Sequence, residues 1–347
     1  MLNLTQNKVH NYFKLNGYHL NAKDVCQVAY SYVKEGDAYE KAIGEFFLDW
    51  FDKKDYIEMT TSGTTGLPKL VRLKKQAMIQ SALATGDFFD LKPGDKALLC
   101  LPTQFIAGKM MLVRSLILGL ELDVVSPSLN PLELNKTTYD FVAMVPLQVQ
   151  NSIEKLSKVR KLIIGGAKLD SALEEKLLPL KTEIYETYGM TETITHIAAK
   201  RLGDSVFSIL PNVKITQDDR QCLVIHLATI SDEPIVTNDL VELLNEQQFK
   251  FLGRIDNVIN SGGVKLIPEQ IEAKLIGKIA NRFFVTGLPD TTLGERLVLV
   301  IEGEKQEFAP DFFDDLGKYE KPKEIVFVSK FKENENGKLL RKPSLQD

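Results

Sequence analysis

Cysteine is scarce: Cys26, Cys100 and Cys222 are the only three in 347 residues. They are far apart, odd in number and nowhere spaced C-x-x-C. That excludes a disulfide framework or thiolate metal site and reads as reduced, mostly buried thiols. Neither sign of charge dominates. With 43 Lys and Arg against 47 Asp and Glu the net charge is −4, so no global basic field points to nucleic acid. No apolar run reaches a membrane span, because Arg114 interrupts the best one, Met110 to Leu120. The first residues, Met1-Leu-Asn-Leu-Thr-Gln-Asn-Lys, lack the apolar stretch of a secretory signal. Internal repeats and low-complexity linkers are missing too. The expectation is a cytoplasmic globular enzyme. A hydrophobic fraction of 44% and a charged fraction of 26% agree with a globular chain, and the length predicts two domains.

What is present centres on Met59-Thr60-Thr61-Ser62-Gly63-Thr64-Thr65-Gly66-Leu67-Pro68-Lys69-Leu70. Apolar material flanks it, so it reads as a tight loop between ordered elements. Glycines let backbone approach a ligand, and hydroxyls with successive N–H groups offer donors to phosphate oxygens. Lys69 adds a positive charge. The spacing G-x-x-G-x-x-K is not the Walker pattern. A short polar run of this kind is usually a surface turn; the length of this one favours phosphate contact.

Around the loop, Ile43, Phe46, Phe47, Trp50 and Phe51 recur at helical spacing and predict a helix that buries an aromatic stripe. Downstream, helices alternate with apolar strands. Helices are expected at Gln76–Phe89, Gly108–Gly119, Pro146–Leu156 and Ser171–Leu178. Strands are expected at 96–101, 123–126, 141–145, 161–164 and 183–188. This is an α/β pattern with parallel strands and ligand loops at their C-terminal ends. From Ser205 shorter strands and turns predict a β-rich subdomain. A small α+β domain follows Gly253-Arg254-Ile255-Asp256, giving domains over 1–253 and 254–347.

Several short constellations punctuate this pattern. Tyr188-Gly189-Met190-Thr191-Glu192 turns after a strand, and its carboxylate beside hydroxyls suits Mg²⁺, although a lone Glu there is more often a helix-start or solvated charge. Gly165-Gly166-Ala167 alone could be a strand-to-helix turn. Thr237-Asn238-Asp239, Gly253-Arg254-Ile255-Asp256, Ser261-Gly262-Gly263 and Gly337-Lys338-Leu339-Leu340-Arg341 complete the series.

In this order the motifs resemble those of the adenylate-forming superfamily of acyl-CoA synthetases, luciferases and adenylation domains. The resemblance spans residues 60–341 and is highly specific because the order is kept. It implies ATP, Mg²⁺ and coenzyme A as reactants beside a small-molecule carboxylic acid. It also implies an ATP site of Thr61, Ser62, Gly63, Thr64, Thr65, Gly66, Lys69, Gly165, Gly166, Ala167, Tyr188, Gly189, Asp239 and Arg254. Lys338, Glu192 and Thr191 would be catalytic, with Glu192 holding the metal. Asp256 would be the hinge, and Gly262 and Gly263 would serve the thioester step. Asn238 replaces the family's glycine, and asparagine also tolerates a left-handed backbone.

Only about 60 residues precede the phosphate loop, fewer than in most relatives. That shortening, with Leu101-Pro102-Thr103-Gln104-Phe105-Ile106-Ala107-Gly108, resembles the short o-succinylbenzoate–CoA ligases of menaquinone biosynthesis. The acyl pocket is then expected at Phe105, Lys109, Arg114 and His196, and a homodimer is expected to cover edges left by the shortening. For Arg114, a helix-surface charge is an equally good reading. Two other functions stay open: a different aryl- or acyl-CoA ligase or carrier-loading enzyme, and a degenerate nucleotide-binding module without turnover.

Overall fold

A computed structural model describes residues 8–61, 69–133, 137–167, 169–228, 230, 233–332, 339–341 and 344. The chain divides into two compact units. One comprises residues 1–165, 177–214 and 226–235; the other comprises 166–176, 215–225 and 236–347.

The first unit opens with a short hairpin, β1 (Lys14–Leu15) and β2 (Tyr18–His19). Helix α1 (Ala22–Glu35) starts where Asn21 accepts from the amides of Lys23 and Asp24, while Asp24 accepts from the Asn21 amide. This reciprocal capping satisfies N–H groups that the first helical turn leaves without partners. Helix α2 (Ala38–Phe51) carries the expected aromatic stripe, with Phe46, Phe47 and Trp50 fully buried. Strands β3 (Tyr56–Thr61) and β4 (Lys69–Lys74) then pair antiparallel, and Thr61 lies opposite Lys69.

After α3 (Lys75–Phe88) come β5 (Lys96–Leu99), α4 (Ile106–Leu118), β6 (Glu121–Val124), β7 (Tyr139–Met144), α5 (Pro146–Ser152) and β8 (Val159–Ile164). Helix α4 stops at Gly119, whose φ of +74° is a conformation that side chains disfavour. Several boundaries differ from expectation by two or more residues, and two of these shifts have a local cause. Strand β6 begins earlier because Glu121 and Leu122 take up pairing with both β1 and β5. Helix α5 ends at Ser152 and tightens into a 3₁₀ turn over Ile153–Lys158, a common way for a helix to terminate.

Strands β9 (Glu183–Gly189), β10 (His196–Arg201) and β11 (Phe207–Ile209) complete this unit. Its strand order is β11-β10-β9-β8-β7-β5-β6-β1-β2. From β9 through β6 to β1 the pairings are parallel, whereas β10 and β11 run antiparallel. The chain adds β6 on one side of β5 and β7 on the other. Such a reversal of winding places a ligand crevice at the C-terminal strand ends.

The second unit contains α6 (Ser171–Leu177), β12 (Lys214–Gln217), β13 (Cys222–His226), β14 (Ile235–Asn245) and β15 (Gln248–Arg254). It continues with the hairpin β16 (Ile259–Ser261) and β17 (Val264–Leu266), then α7 (Pro268–Leu275). Strands β18 (Phe283–Asp290), β19 (Gly294–Glu302) and β20 (Glu324–Val328) follow. Ile271 and Leu275, four residues apart on α7, pack with Val285, Leu297, Leu299 and Ile301; the helix stops at Leu275, short of expectation, and Ile279 joins this cluster from beyond its end.

Candidate active site

In the first unit the candidate residues gather at C-terminal strand ends. Gly165 follows β8, and Thr187 of β9 donates its hydroxyl to the Ile164 carbonyl at 2.9 Å. A methyl group on Gly165 would stand 2.8 Å from that hydroxyl. Tyr188 meets Phe207 edge-on. Gly189 faces His196 across β9 and β10, and a Cβ there would lie 2.4 Å from the Thr195 carbonyl oxygen. Only glycine lets the two backbones approach so closely.

The Thr191–Thr195 turn is built by a residue that sequence reasoning passed over. Thr193 is buried; its hydroxyl accepts from the Met190 amide at 2.9 Å and lies 2.9 and 2.8 Å from the Met190 and Thr195 carbonyls. Ile194 is buried with φ +68° and ψ −53°, a strained conformation for a β-branched residue. The turn leaves Glu192 exposed and His196 buried. A hydroxyl three residues after the strand-end Met190 is the signal that could have found Thr193.

Helix α4 bears the other notable group. Arg114 is 1% exposed, so it is not a helix-surface charge. Its Nε donates to Thr85 Oγ1 at 3.3 Å; its Nη2 donates to Thr195 Oγ1 at 3.1 Å and to His196 Nδ1 at 3.4 Å. Nη1 approaches Met111 Sδ at 3.7 Å. Among the described residues none of these partners is a carboxylate. Burial without an anion pulls Arg114 down to about 9. Burial and then the Arg114 charge hold His196 well below its ordinary range, so the imidazole is neutral. Because Nδ1 accepts from Arg114, the ring proton sits on Nε2, which faces Thr85 Oγ1 at 3.3 Å. Thr85 in turn donates to the Ser81 carbonyl at 2.9 Å.

Lys109 does not join this cluster. It lies five residues before Arg114, which turns it about 140° around the helix. Its ammonium sits 5.2 Å from the Phe46 ring centroid, with Asp49 and Glu45 nearby. Phe105 caps the start of α4 and is exposed. A cavity of about 450 Å³ is lined by Leu99, Leu101, Thr103, Val125, Tyr39 and Ile43 among others, and none of Phe105, Lys109, Arg114 and His196, the residues expected at the acyl pocket, is in its lining. Thr103 Oγ1 is buried there without a hydrogen-bond partner among the described residues.

In the second unit Gly166 adopts φ +87° and Ala167 is half-buried. Asp239 on β14 is buried opposite Arg254 of β15, with Arg254 Nη1 3.4 Å from its Oδ1. Arg254 Nη2 donates to Asp256 at 2.9 Å. Gly262 and Gly263 have φ of +59° and +83° and form the two-residue turn between β16 and β17. Such a hairpin requires left-handed backbone, which by itself explains both glycines. Ser62, Gly63, Thr64, Thr65 and Gly66 of the loop lie outside the described residues, as does Lys338.

Among the described residues no three His, Cys, Asp or Glu side chains group to hold a metal ion. No helix among them is long and apolar enough to cross a membrane.

Residues 34–222 match the AMP-binding enzyme family. An acyl-CoA synthetase (AMP-forming)/AMP-acid ligase II-like protein of Dyadobacter fermentans is 35% identical. The match covers 92% of this chain and 97% of that one, with a TM-score of 0.64. The 2-succinylbenzoate–CoA ligase of Lactococcus lactis is 27% identical, over 85% of this chain and 71% of that protein. The o-succinylbenzoate coenzyme A synthetase of Bacillus subtilis, solved with ATP and a magnesium ion, shares the fold at a TM-score of 0.72. It is 22% identical over 84% of this chain and 69% of its own. With its strand-end motifs in family order on an α/β sheet, the chain belongs to the AMP-binding enzymes, the adenylate-forming acid–CoA ligases.

Proposed function

We propose that this protein converts o-succinylbenzoate to its CoA thioester through an acyl-adenylate. A carboxylate attacks the α-phosphorus of ATP, the bond to pyrophosphate breaks, and acyl-AMP forms. The CoA thiolate then attacks the acyl carbon, and AMP leaves. A carboxylate is a weak nucleophile, so catalysis depends on in-line positioning and on neutralising phosphate charge. The loop from Thr61 to Lys69 would hold the outer phosphates and Lys338 the α-phosphate. Asp239 would accept hydrogen bonds from the ribose hydroxyls. Asp256 would be the pivot between half-reactions, with Gly262 and Gly263 serving the second.

Mg²⁺ keeps few protein ligands and completes its octahedron with phosphate oxygens and waters. The exposed carboxylate of Glu192, beside the Thr191 hydroxyl and apart from any acidic cluster, fits that donor set. Bound there, Mg²⁺ would supply charge neutralisation to the phosphates.

The observation that supports this acid is Arg114. A buried guanidinium without a carboxylate partner is costly unless an anion completes it. o-Succinylbenzoate is a dianion: one carboxylate is activated and the other remains to be paired. Arginine's planar fork suits that second carboxylate, with neutral His196 beside it. Pyrophosphate release from ATP and a panel of mono- and dicarboxylic acids, with CoA present, tests the reading. Release that depends on the aromatic dicarboxylate, with CoA thioester as product, agrees with it. Release with fatty acids alone, or none with any acid, contradicts it.

A further inference from the structure

Asn238 stands where the family motif has glycine, and its backbone is not among those with positive φ. Left-handed geometry therefore does not account for it. Its side chain does. The Nδ2 amide donates to both carboxylate oxygens of Asp256, at 3.1 and 3.2 Å. Its Oδ1 accepts from Arg220 Nη1 at 3.2 Å. Arg220 is itself fixed by Asp218 at 2.7 Å and by the Thr237 carbonyl at 3.2 Å. Thr237 donates to the Leu223 carbonyl of β13 at 2.8 Å, anchoring this end of β14.

On the far side of Asp256 the next residue is tied elsewhere. Asn257 Nδ2 donates to Glu269 of α7 at 2.6 Å. One peptide unit thus separates a side chain held to β14 from a side chain held to α7. Gly253 brings β15 and α7 close together: a Cβ there would lie 2.4 Å from Glu269 Oε2 and 2.6 Å from Ile267 Cγ2.

We infer that Asn238 is a positioning residue for the movement between half-reactions. Its amide fastens Asp256 to β14 and restrains rotation at the 256–257 peptide, where a glycine would remove the hydrogen bonds to β14 and leave Asp256 the Arg254 hydrogen bond and the charge of Arg220. This rests on the ligase reading and on Asp256 as its pivot. Arg254 first and Asn238 next hold the Asp256 carboxyl below its ordinary range, so the acceptor is ionised at neutral pH. Hydrogen bonds to an ionised acceptor are stronger than neutral ones, though exposure weakens them.

The experiment compares the full-length chain with Asn238→Ala, which removes only the amide, and Asn238→Gly, which also loosens the backbone. The first readout is hydrogen–deuterium exchange at Val258, whose amide donates to the Ile255 carbonyl at 3.2 Å. Exchange about three- to tenfold faster in both variants, with β14 and β15 unchanged, supports the restraint. Unchanged rates, or acceleration only in the glycine variant, overturn it. The second readout sets ATP–pyrophosphate exchange against thioester formation from supplied acyl-adenylate. A shift of about threefold or more in their ratio supports the positioning role, a size set by one exposed hydrogen bond. Equal changes in both half-reactions overturn it. If the wild type performs neither half-reaction, the ligase reading fails, while the exchange rates still decide whether Asn238 restrains the pivot.

Discussion

Arg114 Nη2 lies 3.4 Å from His196 Nδ1, a guanidinium against a neutral imidazole with both side chains buried. A carboxylate would stabilise the arginine more than a histidine lone pair can. Among the described residues no carboxylate hydrogen-bonds this guanidinium, and a buried charge without one is costly.

Arg114→Leu should therefore separate stability from function. Removing an unpaired buried charge should leave the melting temperature unchanged or raise it. The KM for the dianionic acid should rise about tenfold to a hundredfold, the cost of one charge-assisted contact, while the KM for ATP stays constant. Lys109→Leu should change the acid KM much less, because Lys109 faces Phe46 and the acidic residues of α2. Equal effects of the two substitutions on acid KM would move the recognition site away from Arg114.

His196 gives a pH signature. Its folded-state pKa lies below the unfolded value of about 6.5, so between those two values the unfolded chain binds a proton that the native state does not. The contribution is fully present above pH 6.5 and is lost as pH falls below it. Denaturant unfolding at about pH 7.5 and 5.5 should show the wild type losing more stability than His196→Gln. The difference is at most about 1.4 kcal/mol per pH unit. His10 shifts in the same direction, and comparison with the variant subtracts it. Parallel loss in both proteins would contradict a neutral, buried His196.

Thr193→Val should release the strained Ile194 turn by removing the hydroxyl that bridges Met190 and Thr195. The half-buried Met190 amide and Thr195 carbonyl lose that partner, while the Met190 carbonyl keeps the Thr193 amide, so the cost is about 1 kcal/mol. The expected result is a lower denaturation midpoint with an unchanged m-value, and weaker binding at both Glu192 and His196. A variant as stable as wild type would show that the turn holds itself.

Lys338→Ala should abolish ATP–pyrophosphate exchange and largely spare thioester formation from supplied acyl-adenylate, since only the first step builds charge at the α-phosphate. Measuring the two half-reactions separately checks it. Equal loss in both would assign Lys338 another role.

The alternating α/β pattern was legible because apolar strands and amphipathic helices have different periods, and Phe46, Phe47 and Trp50 announced a buried face. The motif order pointed to the turns at Gly165 and Gly189, and both fall at C-terminal strand ends. Antiparallel β10 and β11 were not legible, because strand direction is set by pairing partners distant in sequence. Arg114 and His196 were expected near each other, and the fold brings them to 3.4 Å. Thr85 and Thr195 were not legible as partners of Arg114, because they meet it only through the fold and a lone arginine in an apolar helix reads equally as a helix-surface charge. Asn238 looked like a tolerated substitution in a turn; its role depends on Asp256, 18 residues away.

The most direct test of the central claim is the acid dependence of pyrophosphate release by the unmodified chain. With ATP, Mg²⁺ and CoA, o-succinylbenzoate should give a kcat/KM at least about tenfold above that of monoanionic aryl or fatty acids, reflecting one extra charge-assisted contact at Arg114. Equal or better turnover of the monoanionic acids would contradict the assignment of a dianionic substrate.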